Sequence, residues 1–514
     1  MCPKINPSSA PRRRFITWRS YHKWVGVVFA LFLLVFCLSG IVLNHRSLFS
    51  SCEVNRAWLP SAYQVRAFNQ GVIKGTQRIA PNEVVAYGYG GAWLTDTLGR
   101  SWRDYNAGLP QGVDRRSIRN LVRTRQGTLW CATNYALYRH NGRQWLAQPL
   151  PSGSERLSDL TLTSDSQSVV VLSRSALYTI QNGKAERHVL KTAKNFKPRD
   201  TLFRTVWKLH SGELFGLAGR LVVDAIALVL IVLCLTGIVL FLLPYSIRRF
   251  RRRGHLEACG KQTRHLKWHL KWHNRLGRTT IVLTLLLTLT GTCLRPPFML
   301  LFVFSKTAPV NFTQNPWNDR LRSLRWDGTT SQWLLHTADG FFYVDSQLSQ
   351  SPTAFPAEKA APVSPMGLNV FRQEADGSWL VGSFSGMFRW QPVTGEVVDY
   401  FTGQAAQLAF GRAVSAHLVS GYSNDFAHPL VFDYATGLGQ NASLDVQPEV
   451  FSHLPLSLWN TALELHVGRC YAPLLGPFSE LFVFIWGTLS TLVLVSGYVI
   501  RQRRRNQQKS KRKL

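Results

Sequence analysis

Acidic residues are scarce in this chain. Its 28 Asp and Glu stand against 60 Lys and Arg, a formal charge of +32 over 514 residues. An excess of that size suits nucleic acid, but its placement argues against that partner. Residues 1–23 hold six Lys or Arg, 244–278 eleven and 501–514 eight, with Glu257 the only acid among them. These short stretches carry +24 of the +32, and each adjoins an apolar run. Positive-inside sorting accounts for them, as does attraction to anionic lipid headgroups, so no nucleic-acid partner is expected. The basic stretches contain no G-x-G-x-x-G or Walker motif and are too short for a nucleotide or flavin domain. The eight cysteines show no C-x-x-C, C-x-x-C-H or zinc spacing. Cys37, Cys234 and Cys293 fall in apolar runs as small packing residues, and Cys2 and Cys259 fall on the basic side. Cys52, Cys131 and Cys470 face an oxidising side, which allows one disulfide of unassigned pairing.

What the chain does have is four apolar runs, at 25–43, 221–243, 279–294 and 481–500. A membrane span needs about 20 apolar residues at about 1.5 Å of rise each. Three runs meet this, and 298–304 extends the short third one beyond Arg295-Pro-Pro. Arg12–Arg14 precede the first run and no small-residue cleavage site follows it, so it reads as a retained anchor. Charge then places both termini and the middle loop in the cytoplasm. The expected layout is a basic N-terminus (1–19), span one (20–44), a periplasmic β-rich segment (45–214), span two (215–244) and a basic loop (245–274). Span three (275–304), a second periplasmic β-rich segment (305–476), span four (477–501) and a basic tail (502–514) complete it. A proton-coupled transporter is the least favoured reading, the runs being taken to lack intramembrane carboxylates.

The β-rich segments repeat a pattern. Residues 129–138, 169–178, 333–342 and 379–388 each read apolar-apolar-x-x-Ser/Thr-x-x-Gly/Ala-apolar-aromatic. A strand, a tight turn and a returning strand produce it. Thr133 to Ser173 is 40 residues and Thr337 to Ser383 is 46, a period that suits β-propeller blades. Leu98-Gly-Arg-Ser-Trp102 followed by Gly108-Leu-Pro110 resembles a degenerate Asp-box corner. The fold expected is thus membrane α plus β: a duplicated four-helix bundle with two periplasmic segments of blade-like sheets. Each segment has room for about four blades, and together they could close one shared propeller of seven or eight. Two separate β domains are the alternative.

Histidines mark the duplication. His22-Lys-Trp-Val-Gly26 and His273-Asn-Arg-Leu-Gly277 open the first and third runs, and Gly40 and Gly291 each follow their histidine by 18 residues. Leu209-His210-x-Gly212 and Leu465-His466-x-Gly468 precede the second and fourth runs, which contain Thr236-Gly237 and Ser496-Gly497. Neutral imidazole is a good haem-iron ligand, and histidine near a bilayer usually faces the bundle interior. Topology sorts His22 and His273 to one leaflet and His210 and His466 to the other. This predicts two bis-histidine haems b, with iron held by His22 and His273 and by His210 and His466. His45 and His269 are alternative ligands. His265, His269 and His273 share one helix face, which also admits a surface metal site. Gly40, Gly237, Gly291 and Gly497, each after a Ser or Thr, are expected to let a flat macrocycle approach the backbone. Arg46 and Arg295 are candidate propionate contacts.

Tyr21-His22-Lys-Trp-Val-Gly26, Ser39-Gly40, and Leu209-His210-Ser-Gly212 before Thr236-Gly237 resemble the PepSY-associated transmembrane family, over all four runs. The β-rich segments show no PepSY module; blade-like repeats stand there instead. The resemblance implies a multi-pass protein of the bacterial inner membrane like the haem-containing ferrisiderophore reductases. Such a protein reduces a periplasmic ferric siderophore or other ferric chelate for iron uptake, with the bilayer as its surroundings and a quinol or partner protein as electron donor. A non-redox sensor or scaffold, whose outer domain binds a partner, is the alternative.

Overall fold

The computed structural model describes residues 10–151, 155–181, 183–193, 196–310, 315–406, 415–439, 444 and 447–511. They form two compact units. The first joins the stretches up to Phe49, Arg199–Asn311 and from Trp459 onward, and the second joins Ser50–Pro198 and Phe312–Leu458. Both β-rich segments therefore build one unit.

The first unit is helical. Helices Ala10–Asn44, Gly216–Arg252 and Ser479–Lys511 are long and apolar enough to cross a membrane. The expected third span, 275–304, is not one helix: the run itself forms Ile281–Cys293, and Phe298–Phe304 is a separate helix. Helix Leu256–Thr279 meets helix Ile281–Cys293 at a bend of 68°. At the bend, Thr279 Oγ1 donates to Arg275 O at 3.1 Å and Thr280 Oγ1 donates to Leu276 O at 2.8 Å. Such back-bonding bends helices. The basic stretch 245–274 is helical too: the second span runs on past Pro244 to Arg252, and Leu256–Thr279 follows. Alternating basic and aromatic residues such as Lys267-Trp268 and Lys271-Trp272 suit a helix lying at an interface. Cys37, Ile226, Ala227, Leu230 and Leu233 form the buried seam of the bundle.

Among the described residues the second unit holds a short pairing of Glu53–Val54 with Leu456–Ser457 and six larger antiparallel sheets, five four-stranded and one two-stranded. Their first strands are Gly75–Ala80, Ile118–Arg123, Leu157–Leu162, Leu321–Asp327, Val370–Gln373 and Val419–Ser423. Each segment thus yields three sheets rather than about four, because irregular stretches such as 55–74 and 434–439 take up length. The repeated pattern is the hairpin between second and third strands in four of them. Its hydroxyl ties the turn: Thr133 Oγ1 donates to Ala136 O at 3.2 Å, Ser173 Oγ to Ala176 O at 3.1 Å and Thr337 Oγ1 to Gly340 O at 3.0 Å. The Asp-box corner is built around Asp96, which accepts from Leu98 N at 2.8 Å and Ser101 N at 2.9 Å. Asp345 organises a second such corner with Ser349 N and Gln350 N.

Polar side chains stitch each sheet to the next in cyclic order. Tyr87 OH donates to Asn120 Oδ1 at 2.6 Å, and Asn120 Nδ2 donates to Leu160 O at 2.7 Å. Asp159 accepts from Arg325 at 2.6 Å, whose Nε donates to Phe371 O at 2.9 Å. Asn369 Nδ2 donates to Val419 O at 2.9 Å, and Thr76 Oγ1 lies 2.7 Å from Ser423 Oγ. The sixth sheet thereby meets the first. Trp93, Trp145, Trp317, Trp379 and Trp390 fill the layers between and within sheets and are fully buried. Asp159 is the most connected polar group of this belt. Asp159→Ala leaves Arg325 without its carboxylate, and breaking such a pair costs about 3–5 kcal/mol. We expect denaturation followed by tryptophan fluorescence to show a loss of that order; an unchanged midpoint would refute this role.

No disulfide joins Cys52 or Cys131, and Cys131 is wholly buried in a sheet core; Cys470 lies half-buried in the helical unit. The single disulfide allowed above is therefore absent from this structure.

Candidate functional site: two facing imidazole pairs

Short helices deliver two of the four histidines. Leu202–His210 is capped by Thr201, whose Oγ1 accepts from Arg204 N at 3.2 Å, and stops at Gly212 with φ of 76°. Leu458–His466 stops at Gly468 with φ of 85°. Left-handed glycine is a common helix stop. Leu-His-x-Gly is thus a helix terminus that puts histidine in the last turn, before the long span begins. His22 lies within the first span, and His273 lies on Leu256–Thr279, before the bend.

The four rings form two couples. His22 and His273 have ring centroids 6.3 Å apart, and His210 and His466 have theirs 6.2 Å apart. Every ring is held through Nδ1 by a helix other than its own. His22 Nδ1 lies 2.9 Å from Ser496 Oγ and 3.1 Å from Val493 O. His466 Nδ1 lies 2.9 Å from Ser39 Oγ and 3.1 Å from Phe36 O. His210 Nδ1 lies 3.1 Å from both Thr290 Oγ1 and Leu287 O. His273 Nδ1 lies 2.9 Å from Thr236 Oγ1. The hydroxyl hydrogens point into their own helices: Ser39 Oγ donates to Val35 O, Thr236 Oγ1 to Val232 O, Thr290 Oγ1 to Leu286 O and Ser496 Oγ to Val493 O. The hydroxyls can therefore only accept from the imidazoles, as the carbonyls must. This assigns the proton to Nδ1 and leaves the Nε2 lone pair for a metal.

The residues fit a haem iron. Metal–imidazole bonds of about 2.0–2.1 Å, with about 1.2 Å from ring centre to Nε2, bring two rings sharing one metal to about 6.4 Å between centroids. The observed separations match. A bare metal ion has no comparable site, since among the described residues no three of His, Cys, Asp and Glu cluster to hold one; the His265, His269, His273 run forms none.

A family model for the PepSY-associated TM region matches residues 3–243 and 245–504. The chain belongs to the PepSY-associated TM family. Membership agrees with the multi-pass character of the helical unit. No curated protein shows significant similarity to this family member. Among solved structures, it is similar to the extracellular domain of BT4673 from B. thetaiotaomicron, assigned to the hybrid two component systems, with 9% identity and TM-score 0.35. That match covers 71% of this chain and 32% of the other. The corresponding domain of BT3049 shows 9% identity and TM-score 0.31, covering 72% and 39%. The chain thus spans about a third of the length of these structures.

The remaining candidate residues of this PepSY-associated TM protein lie outside the couples. His45 Nε2 is 2.6 Å from Asp224, which also accepts from Asn44 Nδ2 at 3.1 Å. His269 packs edge-on against Trp268 at 4.9 Å. The Arg46 guanidinium stacks 3.9 Å over Trp459, and Arg295 pairs with Glu480 at 2.9 Å. The four glycines face imidazole rather than open space. A Cβ on Gly291 would lie 2.7 Å from His210 Cε1, on Gly497 2.9 Å from His22, on Gly40 3.4 Å from His466 and on Gly237 3.7 Å from His273. The missing side chain at each of these positions leaves room for a histidine ring. Two features escaped the sequence reading. One is the Ser/Thr hydroxyl with the carbonyl one turn earlier, although a hydroxyl residue before every glycine was visible. The other is Asp224, inside a run taken to lack carboxylates.

Proposed function

We propose that this chain is a di-haem b electron-transfer protein of the bacterial inner membrane. It reduces ferric iron, held by a siderophore or another chelate, on the side of the membrane that carries the sheets. The reading rests on the two imidazole couples, with their proton assigned to Nδ1 and their spacing suited to one iron between each pair. His22 and His273 would hold one haem, and His210 and His466 the other. Bound iron of this kind supplies one-electron chemistry by alternating between ferric and ferrous states. The protein's own contribution is orientation: each Ser/Thr hydroxyl and backbone carbonyl fixes the tautomer and rotation of a ligand from another helix. Two couples serve a crossing that one cannot. His22 and Gly40, which faces His466, are 18 residues apart on one helix, about 27 Å at about 1.5 Å per residue.

The basic stretches orient the bundle with both termini in the cytoplasm, which leaves the sheets in the periplasm. We read the six cyclically stitched sheets as blades of one propeller-like ring shared by both segments. With no nucleotide or flavin motif in the basic stretches, a quinol or a partner protein is the electron donor. Iron leaves after reduction because hard oxygen ligands hold ferrous iron less strongly.

The deciding measurement is a visible spectrum of the full chain purified from haem-supplemented cells. A red protein with a b-type reduced-minus-oxidised difference spectrum is expected. A colourless one would sink this reading and leave the non-redox sensor or scaffold.

A further inference from the structure

Helix Leu256–Thr279 has two faces. His269 and His273 share one of them, from which His273 reaches Thr236 of the second span at 2.9 Å. Leu270, Lys271, Arg275 and Arg278 follow Lys267 by 3, 4, 8 and 11 residues, so they form a stripe on the side away from the imidazoles. Arg501, half-buried on helix Ser479–Lys511, joins that stripe in lining an open cleft of about 380 Å³ within the helical unit. Small-molecule sites measure about 300–1,000 Å³.

The cleft is cationic and uncompensated. Lys267, Lys271, Arg275, Arg278 and Arg501 line it, and no acid does. Among the described residues, none of these five takes part in an ion pair, whereas Lys261 on the same helix pairs with Glu257 at 3.2 Å. Arg275 leans over the ring of Trp272 at 5.4 Å. Like charges around one space repel one another, and an anion seated among them turns repulsion into attraction. Arg forks suit phosphate oxygens, which they bind two at a time.

Apolar groups border the charges. Leu270 lines the cleft, and Trp268 and Leu256 on the same helix are exposed. The helix also turns 68° from Ile281–Cys293. It thus leaves the direction of the span, and its Lys and Trp side chains suit the bilayer surface. A soluble phosphate would use the cations alone, while a lipid uses both kinds of group.

We propose that this cleft is a stoichiometric site for the headgroup of an anionic phospholipid, beyond the diffuse attraction that any basic stretch has for a charged bilayer. The phosphate lies among the five cations, and the acyl carbons lie against Leu270 and Trp268. The site depends on neither haem nor the sheet unit.

The test uses the full chain in neutral detergent, stripped of lipid, with native mass spectrometry counting the phospholipid bound. Phosphatidylglycerol should bind at one per chain, and phosphatidylcholine of the same acyl length much more weakly. Each cation beside a headgroup is worth about fivefold. Lys267→Gln with Lys271→Gln and Arg278→Gln should therefore weaken binding by about 100-fold. All three side chains are exposed, so this variant should melt like wild type without lipid. Lys267→Arg with Lys271→Arg should bind like wild type. Arg249→Gln with Arg251→Gln and Arg252→Gln removes the same charge from the exposed end of the second span and should leave binding close to wild type. The proposal is overturned if phosphatidylcholine binds as tightly as phosphatidylglycerol or if the glutamine variant of the cleft binds like wild type. Equal loss in the variant at 249, 251 and 252 would overturn it in favour of diffuse attraction. Displacement of the lipid by inorganic phosphate at equal concentration would overturn it in favour of a soluble phosphate.

Discussion

Alanine at His22 is expected to remove one of two haems from the purified protein and leave the other. Alanine at His273 should remove the same one. Each substitution takes away one of the two imidazoles that would hold the iron in the proposed function, in a couple whose centroids stand 6.3 Å apart, and the partner's ring stays anchored on Thr236 or Ser496. Alanine at His210 or His466 should remove the second haem, from the couple at 6.2 Å. Haem content per chain should fall by about half in every single variant, a lost ligand being decisive for haem attachment. Double variants read the pairing directly. His22→Ala with His273→Ala should lose no more haem than either alone, because both act on one iron. His22→Ala with His210→Ala should be colourless. Coupling within a site and additivity between distant sites are the general rule. If His22 and His273 behaved additively, the couples would not be ligand pairs, and His45 or His269 would return as candidates.

Sequence and structure part company where side-chain bonding overrides apolar periodicity. The His22–Gly40 and His273–Gly291 spacings exposed the duplication because an equal span length forces an equal count. The bend at Thr280 was hidden, because Thr279 and Thr280 look apolar enough to continue a helix, and only their bonds to Arg275 O and Leu276 O reveal the break. Leu-His-x-Gly was visible as a motif but not as a helix stop, since the left-handed φ at Gly212 and Gly468 is a backbone property. In the sheets, the hairpin pattern was legible because Thr133, Ser173 and Thr337 each tie their turn. The belt was not legible. Asp159 and Arg325 lie 166 residues apart and meet only because both β-rich segments build one unit. His45 and Asp224 illustrate the same limit: they lie 179 residues apart, and only their contact at 2.6 Å shows that they belong together.

Alanine at the four helix glycines should produce a graded series, ordered by the room each leaves beside its histidine. Gly291→Ala is predicted to be the worst. Its Cβ would stand 2.7 Å from His210 Cε1, and the ring cannot retreat without giving up Thr290 and Leu287. A polar nitrogen left unpaired costs about 1–3 kcal/mol, and the ring would turn away from His466. Gly497→Ala, at 2.9 Å from His22, should behave similarly but less severely. Gly40→Ala, at 3.4 Å from His466, asks for a small shift. Gly237→Ala, at 3.7 Å from His273, makes ordinary van der Waals contact and gains helix propensity of up to about 1 kcal/mol. Haem content and midpoint potential should follow that order, with Gly291→Ala disturbing only the couple of His210 and His466. Valine at 237 should then abolish the tolerance that alanine enjoys there. The series separates clearance for the imidazole from generic helix packing, which would penalise the most deeply packed glycine irrespective of its histidine. Gly487 is the control. Its Cβ would lie 2.0 Å from Thr292 Oγ1 and meets no histidine, so Gly487→Ala should lower the melting temperature while both haems keep their spectra. Equal haem loss at 237 and 291, or haem loss at 487, would refute the assignment of these glycines to the ligand rings.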